Sequence, residues 1–218
     1  MLEGGYLKIA TIGGTAVRLH WTLPLGAFAF SRGKVLPFFW LGFFLVVLIH
    51  ELGHALMVRS LRHRVVAIDI TGFGGMCRWR GNPTPLHRSA IAWGGVAAQG
   101  ILLAATWVAL AQLGRLTAAW QLQLASVFTT TNLWLIIINL LPIPPLDGGR
   151  VAVGLLPNVL AAPLSRLEPY GMLILIGILI VLPLAGSQFG LNLDVISAIV
   201  RTSTGFVIRL LLLVTGNV

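Results

Sequence analysis

The chain has 218 residues, of which 57% are hydrophobic and 10% charged, with a formal net charge of +9 at pH 7. A mean hydropathy of +0.92 is too apolar for an ordinary soluble domain and makes an integral membrane protein the expected class. The basic residues are scattered between apolar runs, which argues against a nucleic-acid partner, and the one cysteine, Cys77, excludes an intrachain disulfide and a cysteine-based metal site.

Along the chain, the amino terminus carries Glu3 and no basic segment leading into an apolar core, so it does not read as a cleaved signal. Tyr6–Ile12 and Thr15–Leu19 are predicted to form a small hairpin through Gly13-Gly14, because paired glycines accept the positive φ of tight turns. His20–Phe30 is a short candidate span, with His20-Trp21 read as an interfacial anchor pair. Leu36–Val58 is long enough to cross a bilayer, yet it contains His50-Glu51-Leu52-Gly53-His54. Next, Val65–Thr71 has strand-forming residues and Gly72, Gly74 and Gly75 break any helix. This region reads either as a closed surface hairpin or as an edge that pairs with an extended substrate segment. Ser89–Leu113, Leu124–Leu146 and Pro169–Ala185 are further spans, and Val195–Val214 is a weaker one, interrupted by Arg201, Gly205 and Arg209. The expected fold is an all-α polytopic membrane protein, about six transmembrane segments, with short membrane-associated β-hairpins, built as a single domain over residues 1–218 with a catalytic core at about 36–150.

Charge then orients the spans. Arg59, Arg62, Arg64, Arg78, Arg80 and Arg88 crowd one loop, whereas the next loop outward carries only Arg115. By the positive-inside rule the crowded loop is cytoplasmic. Lys8, Arg18, Arg150 and Arg166 fall on the same side, with Arg32 and Lys34 opposite. His63 and His87 in the basic loop read as ordinary surface residues.

The acidic residues locate the chemistry. Glu3, Asp69, Glu168 and Asp194 lie in or beside predicted loops and are expected to be solvated, whereas Glu51 and Asp147 lie in or at the end of apolar runs. A carboxylate in hydrocarbon costs several kcal/mol unless a cation, a metal or a water-filled cavity meets it. His50 and His54 are four residues apart, so on a helix both imidazoles project from one face and reach one ion. Asp147, at the end of the fourth apolar run, falls at a similar depth on the same side. Two imidazoles and one carboxylate then leave an open fourth position, the pattern of catalytic zinc, with Glu51 placed to take a proton from the bound water. Pro142, Pro144 and Pro145 prevent a regular helix before Asp147, and Gly148-Gly149 allows close backbone approach. Asn139 bonds either to freed carbonyls or to substrate backbone. A membrane metal transporter or sensor is the alternative use of these ligands, but transport needs relay ligands at several depths, and the spans hold almost no others.

Together, His50-Glu51-Leu52-Gly53-His54 and the Asn139–Gly149 segment, Asn-x-x-Pro-x-Pro-x-Leu-Asp-Gly-Gly, resemble the site-2 protease family of intramembrane zinc metalloproteases. The resemblance implies one zinc per chain held by His50, His54 and Asp147, with Glu51 as general base. It also implies a single-span membrane protein substrate cut in or near its transmembrane segment, in the membrane of a prokaryote, with the site toward the cytoplasm. Gly95-Val96-Ala97-Ala98-Gln99 stands where relatives often carry Gly-Pro-x-x-Asn, which makes Gln99, with Asn139, Gly74 and Gly75, a candidate substrate-binding residue. The chain has room for neither a PDZ nor a CBS domain, so a minimal prokaryotic form is expected.

Overall fold

The computed structural model describes residues 4–72, 74–191, 198–199, 201–206 and 209. The chain divides into two compact units, Met1–Ile136 and Ile137–Val218. The first begins with strands β1 (Tyr6–Ile12) and β2 (Thr15–His20), antiparallel neighbours turned through Gly13 at φ 53° and Gly14 at φ 78°. Two successive residues with positive φ are what a two-residue hairpin needs, and glycine supplies them without a steric penalty.

Helices α1 (Leu23–Phe30) and α2 (Pro37–Ser60) follow, and then strands β3 (Arg64–Thr71) and β4 (Gly74–Arg80). β3 pairs parallel to β2 and antiparallel to β4, so the two hairpins are joined in one four-stranded sheet of order β1-β2-β3-β4. Parallel pairing requires a long crossover, and α1 with α2 provides it. Val17, Val65, Ile68 and Ile70 of the sheet are buried in one cluster with Phe43, Val46, Val47 and Val58 of α2. At eight residues α1 is about 12 Å long, well short of a bilayer, and His20 belongs to β2. His20 Nδ1 lies 2.8 Å from Thr22 Oγ1, which accepts the Gly72 N–H at 3.1 Å. This ties the histidine into the sheet-to-helix junction, while its neighbour Trp21 is exposed.

Asp69 overturns an expectation from the sequence. It is not solvated but 3% exposed, because its register partner Arg18 grips it with Nε at 2.7 Å and Nη2 at 2.8 Å, and Arg78 Nε on β4 lies 2.8 Å away. Strand alternation puts Asp69 on the face opposite Ile68 and Ile70, where two guanidinium groups from the flanking strands cover it. Bidentate pairing of this kind is among the stronger charge-assisted contacts.

Helix α3 (Pro85–Leu113) is capped by Thr84, whose hydroxyl accepts the His87 N–H, and packs along α2. The crossing is close because both helices present glycine: a β-carbon at Gly94 would lie 2.6 Å from the Gly53 carbonyl oxygen. Small residues at such crossings let backbones approach and gain packing where lipid supplies no hydrophobic drive. A further helical run comprises α4 (Ala119–Ser126), a π-helical turn at Val127–Thr131 and α5 (Asn132–Asn139). By length and composition, Pro37–Ser60, Pro85–Leu113 and Ala119–Asn139 are the three helices among the described residues able to cross a membrane. The third of these stops at Asn139 and does not continue to Leu146, since Pro142, Pro144 and Pro145 cannot donate to a helical ladder.

In the second unit, irregular backbone over residues 140–146, with a cis Pro144-Pro145 bond, leads into α6 (Asp147–Leu155). Then come α7 (Asn158–Arg166), a 3-10 turn at Glu168–Tyr170, α8 (Gly171–Ile176), a π-helical turn at Gly177–Val181 and α9 (Leu182–Gln188). The expected span Pro169–Ala185 is thus a helical stretch broken by changes of helix type. The expected span Val195–Val214 lies largely outside the described residues.

Candidate metal centre

Helix α2 carries its polar residues in a narrow stripe. Phe43, Val46, Val47, His50 and His54 recur at three- and four-residue steps and are buried, so the histidines continue the face that the apolar residues turn inward. Burial of two imidazoles within an apolar helix demands partners for both nitrogens of each ring. His50 Nδ1 meets Gln99 Oε1 of α3 at 2.9 Å, and His54 Nδ1 meets the carbonyl oxygen of Ile91 at 2.7 Å. Gly95 N–H also lies 3.2 Å from His54 Nδ1, but a carbonyl can only accept, and its shorter contact makes Nδ1 the donor.

Both rings therefore carry their proton on Nδ1, leaving a lone pair on each Nε2. These two Nε2 atoms face each other at 3.0 Å, with the rings edge to face. Converging lone pairs repel unless they share a cation, and histidines that bind metal through one nitrogen characteristically donate the other N–H to a carbonyl or similar acceptor. The donor chemistry and the Nδ1 support thus fit a borderline metal such as zinc.

Glycine makes the room. A β-carbon at Gly95 of α3 would lie 2.6 Å from His50 Cε1 and 2.6 Å from His54 Cε1, so only glycine admits both rings at this level. Glu51, 2% exposed, places Oε1 4.0 Å from His50 Nε2. On its other side lies β4, where a β-carbon at Gly75 would collide with the Glu51 carboxyl group. Gly74, at φ 128°, passes its carbonyl oxygen to the Thr71 hydroxyl at 2.9 Å. Cys77, also on β4, has its thiol pushed up from 9.0 to about 12, first by burial and then by the Glu51 carboxylate, with Arg59 opposing.

Of the residues singled out from sequence, His50, Glu51, His54, Gln99 and Gly75 come together in the first unit. Asn139 and Asp147 belong to the second. Asn139 is half-buried at the end of α5, and Asp147 is buried as the first residue of α6. There the positive end of the helix favours a carboxylate, and Gly148 lets the first turn pack on the Leu140 and Leu141 carbonyls. The Ile91 carbonyl and Asn132 were not legible as site residues, because a main-chain oxygen and a lone amide carry no motif of their own; Gly95 was legible as the first residue of the Gly95–Gln99 element, but not as the gap that admits both rings. His63 and His87 are more than surface residues: their nitrogens lie 3.4 Å apart, and His63 stacks on Trp79.

Residues 106–184 match peptidase family M50. The Bacillus subtilis protein YwhC, whose name carries the words zinc metalloprotease, is 41% identical over 59 residues, covering 27% of this chain and 26% of its own. Stage IV sporulation protein FB of the same organism is 32% identical over 109 residues, covering 49% of this chain and 36% of its own. The chain thus spans between a quarter and two fifths of these relatives. The site-2 protease from Methanocaldococcus jannaschii shares the fold, with a TM-score of 0.60 at 19% identity, over 92% of this chain and 94% of that one.

Proposed function

We propose that this chain, a relative of the site-2 proteases of peptidase family M50, is an intramembrane zinc metalloprotease that hydrolyses a peptide bond in or near the transmembrane segment of a membrane protein. The observation that carries the reading is the approach of His50 Nε2 to His54 Nε2 at 3.0 Å within an apolar helix, with Glu51 beside them. Asp147 serves as the third ligand; in support, it and both histidines are buried, and each offers one ligand atom. A set of two imidazoles and one carboxylate is that of catalytic zinc sites, which keep a further position open.

Zinc, when bound, supplies a Lewis acid that acidifies water and polarises a peptide carbonyl. The chain's own residues do the rest. His50 and His54 would hold the ion, their rings kept in place by the Nδ1 hydrogen bonds. Glu51 accepts a proton at its carboxylate and returns it to the leaving amine. β4 is an end strand of the sheet, and with Gly75 against Glu51 a substrate segment added along it would run past that carboxylate. A transmembrane helix hides its peptide groups in its own hydrogen bonds, so the substrate unwinds locally before it can be cut, and strand addition replaces the bonds lost. Asn139, half-buried before the proline-rich segment, is assigned to substrate backbone or freed carbonyls. In this reading the site faces the cytoplasm of a prokaryotic cell membrane, with the fragment released on that side; the arginine-rich segments after α2 support the orientation.

The test is Glu51→Gln in the full chain, reconstituted with a fluorescent single-span substrate. Cleavage is expected to fall by at least about 100-fold, the low end for loss of a general base, with zinc still bound at one per chain. Retention of wild-type cleavage by the purified variant would sink the mechanism.

A further inference from the structure

Gln99 sits in the middle of α3 and is 1% exposed. A primary amide in hydrocarbon must find partners, and the bond it makes says what it is for. Its Oε1 takes the His50 Nδ1 proton at 2.9 Å. Its own main-chain carbonyl accepts Asn132 Nδ2 at 3.0 Å. Asn132, fully buried, comes directly after the π-helical turn at Val127–Thr131. Such a turn adds a residue to the helical repeat and swings the next helical residues onto another face, and π turns in helices are frequent at functional sites. Three helices of the first unit are thereby linked in one polar line: the His50 ring on α2, the Gln99 amide and backbone on α3, and the Asn132 amide on α5.

We propose that Gln99 is the positioning residue of His50, with Asn132 anchoring the Gln99 backbone, so that Gln99 acts on the metal through His50 and not on the substrate. The proposal rests on the metalloprotease reading. Its physical content is a tautomer. Because Oε1 can only accept, Gln99 holds the His50 proton on Nδ1 and aims the Nε2 lone pair at His54 Nε2. Leucine at 99 would remove the acceptor that faces Nδ1–H, and the ring would no longer be held to that tautomer. Glutamate keeps an acceptor oxygen at the same reach. A glutamine that merely joined helices would contribute to packing without determining which ring nitrogen of His50 holds the proton.

The full chain, labelled with 15N-histidine and stripped of metal in detergent micelles, reports the tautomer by NMR, His50 being assigned by its loss in His50→Asn. We expect the proton on Nδ1 in the wild type and in Gln99→Glu, and a shift toward Nε2 in Gln99→Leu. Cobalt(II) titration of the same samples is expected to show affinity about 10–100-fold weaker in Gln99→Leu, the range for loss of a hydrogen bond behind a ligand. Gln99→Glu should stay close to wild type, and Asn132→Ala should fall between the two. A wild-type His50 with its proton on Nε2 overturns the proposal and requires no variant to fold. So does a folded Gln99→Leu that keeps both the tautomer and the cobalt affinity. A chain that carries the proton on Nδ1 and binds cobalt, but cuts nothing, counts against the protease reading alone.

Discussion

Cys77 lies on β4 next to the carboxylate proposed as general base, and its chemistry reports that neighbourhood. With its thiol pushed up to about 12 by burial and then by Glu51, almost none of it is thiolate at neutral pH, and the thiolate is the species that alkylates. Iodoacetamide at pH 8 is therefore expected to label Cys77 in the folded chain at least about a thousandfold more slowly than in the denatured chain, where an ordinary thiol titrates near 8.5. The folded-state rate should climb with pH toward 12. The sign for stability comes from the same shift. The folded state holds the proton more tightly, so the contribution is complete below the unfolded value and is lost as pH rises from there toward 12. Comparable labelling of folded and denatured protein at pH 8 would show that Cys77 is not held buried beside Glu51 as described. At the same scale, Asp69 shows why an acid near a predicted loop is poorly read from sequence. Its surroundings are set by Arg18, 51 residues earlier, and by Arg78 across the hairpin.

Helix α2 and helix α3 meet through glycines, and this contact decides whether two imidazoles can share an ion. Gly95→Ala puts a β-carbon 2.6 Å from the Cε1 atoms of both rings, so either the rings turn or the helices part. The expected result is loss of zinc from the purified variant, measured by metal analysis, with its circular dichroism still helical. Retention of zinc at wild-type stoichiometry would mean that α3 does not confine the rings. The same level separates what pattern can and cannot reveal about elements. Apolar runs located α2 and α3 to within a few residues, since a bilayer-length run is a local signal. The turn in the long run before Asn139 was not foreseen, because a π-helical turn leaves no compositional mark. The Tyr6–Ile12 strand and its partner, expected at Thr15–Leu19 and found at Thr15–His20, were legible from the paired glycines between them. Their union with β3 was not, because parallel pairing depends on where the intervening helices return the chain.

For the whole molecule, the proposed three-ligand set makes the second unit's Asp147 as necessary to the metal as the first unit's histidines. Wild-type chain should carry one zinc, and Asp147→Ala should bind it more than about 100-fold less tightly, beyond the loss expected for a residue that only supports a ligand. Competition against a zinc-chelating dye measures this directly. Undiminished affinity would remove Asp147 from the set and leave the two histidines to find another partner.

Sequence by itself determined that His50 and His54 lie one turn apart on one face of an apolar helix with Glu51 beside them. That is a consequence of the covalent period of the α-helix, which needs no knowledge of neighbours. Tertiary structure alone decided which ring nitrogens face inward, because the acceptors that hold the two Nδ1 protons, Gln99 and the Ile91 carbonyl, are 49 and 37 residues away along the chain. It also decided that glycine at 95 leaves the rings their space. Such contacts depend on how closely two helix axes approach, and no local pattern of residues specifies that distance.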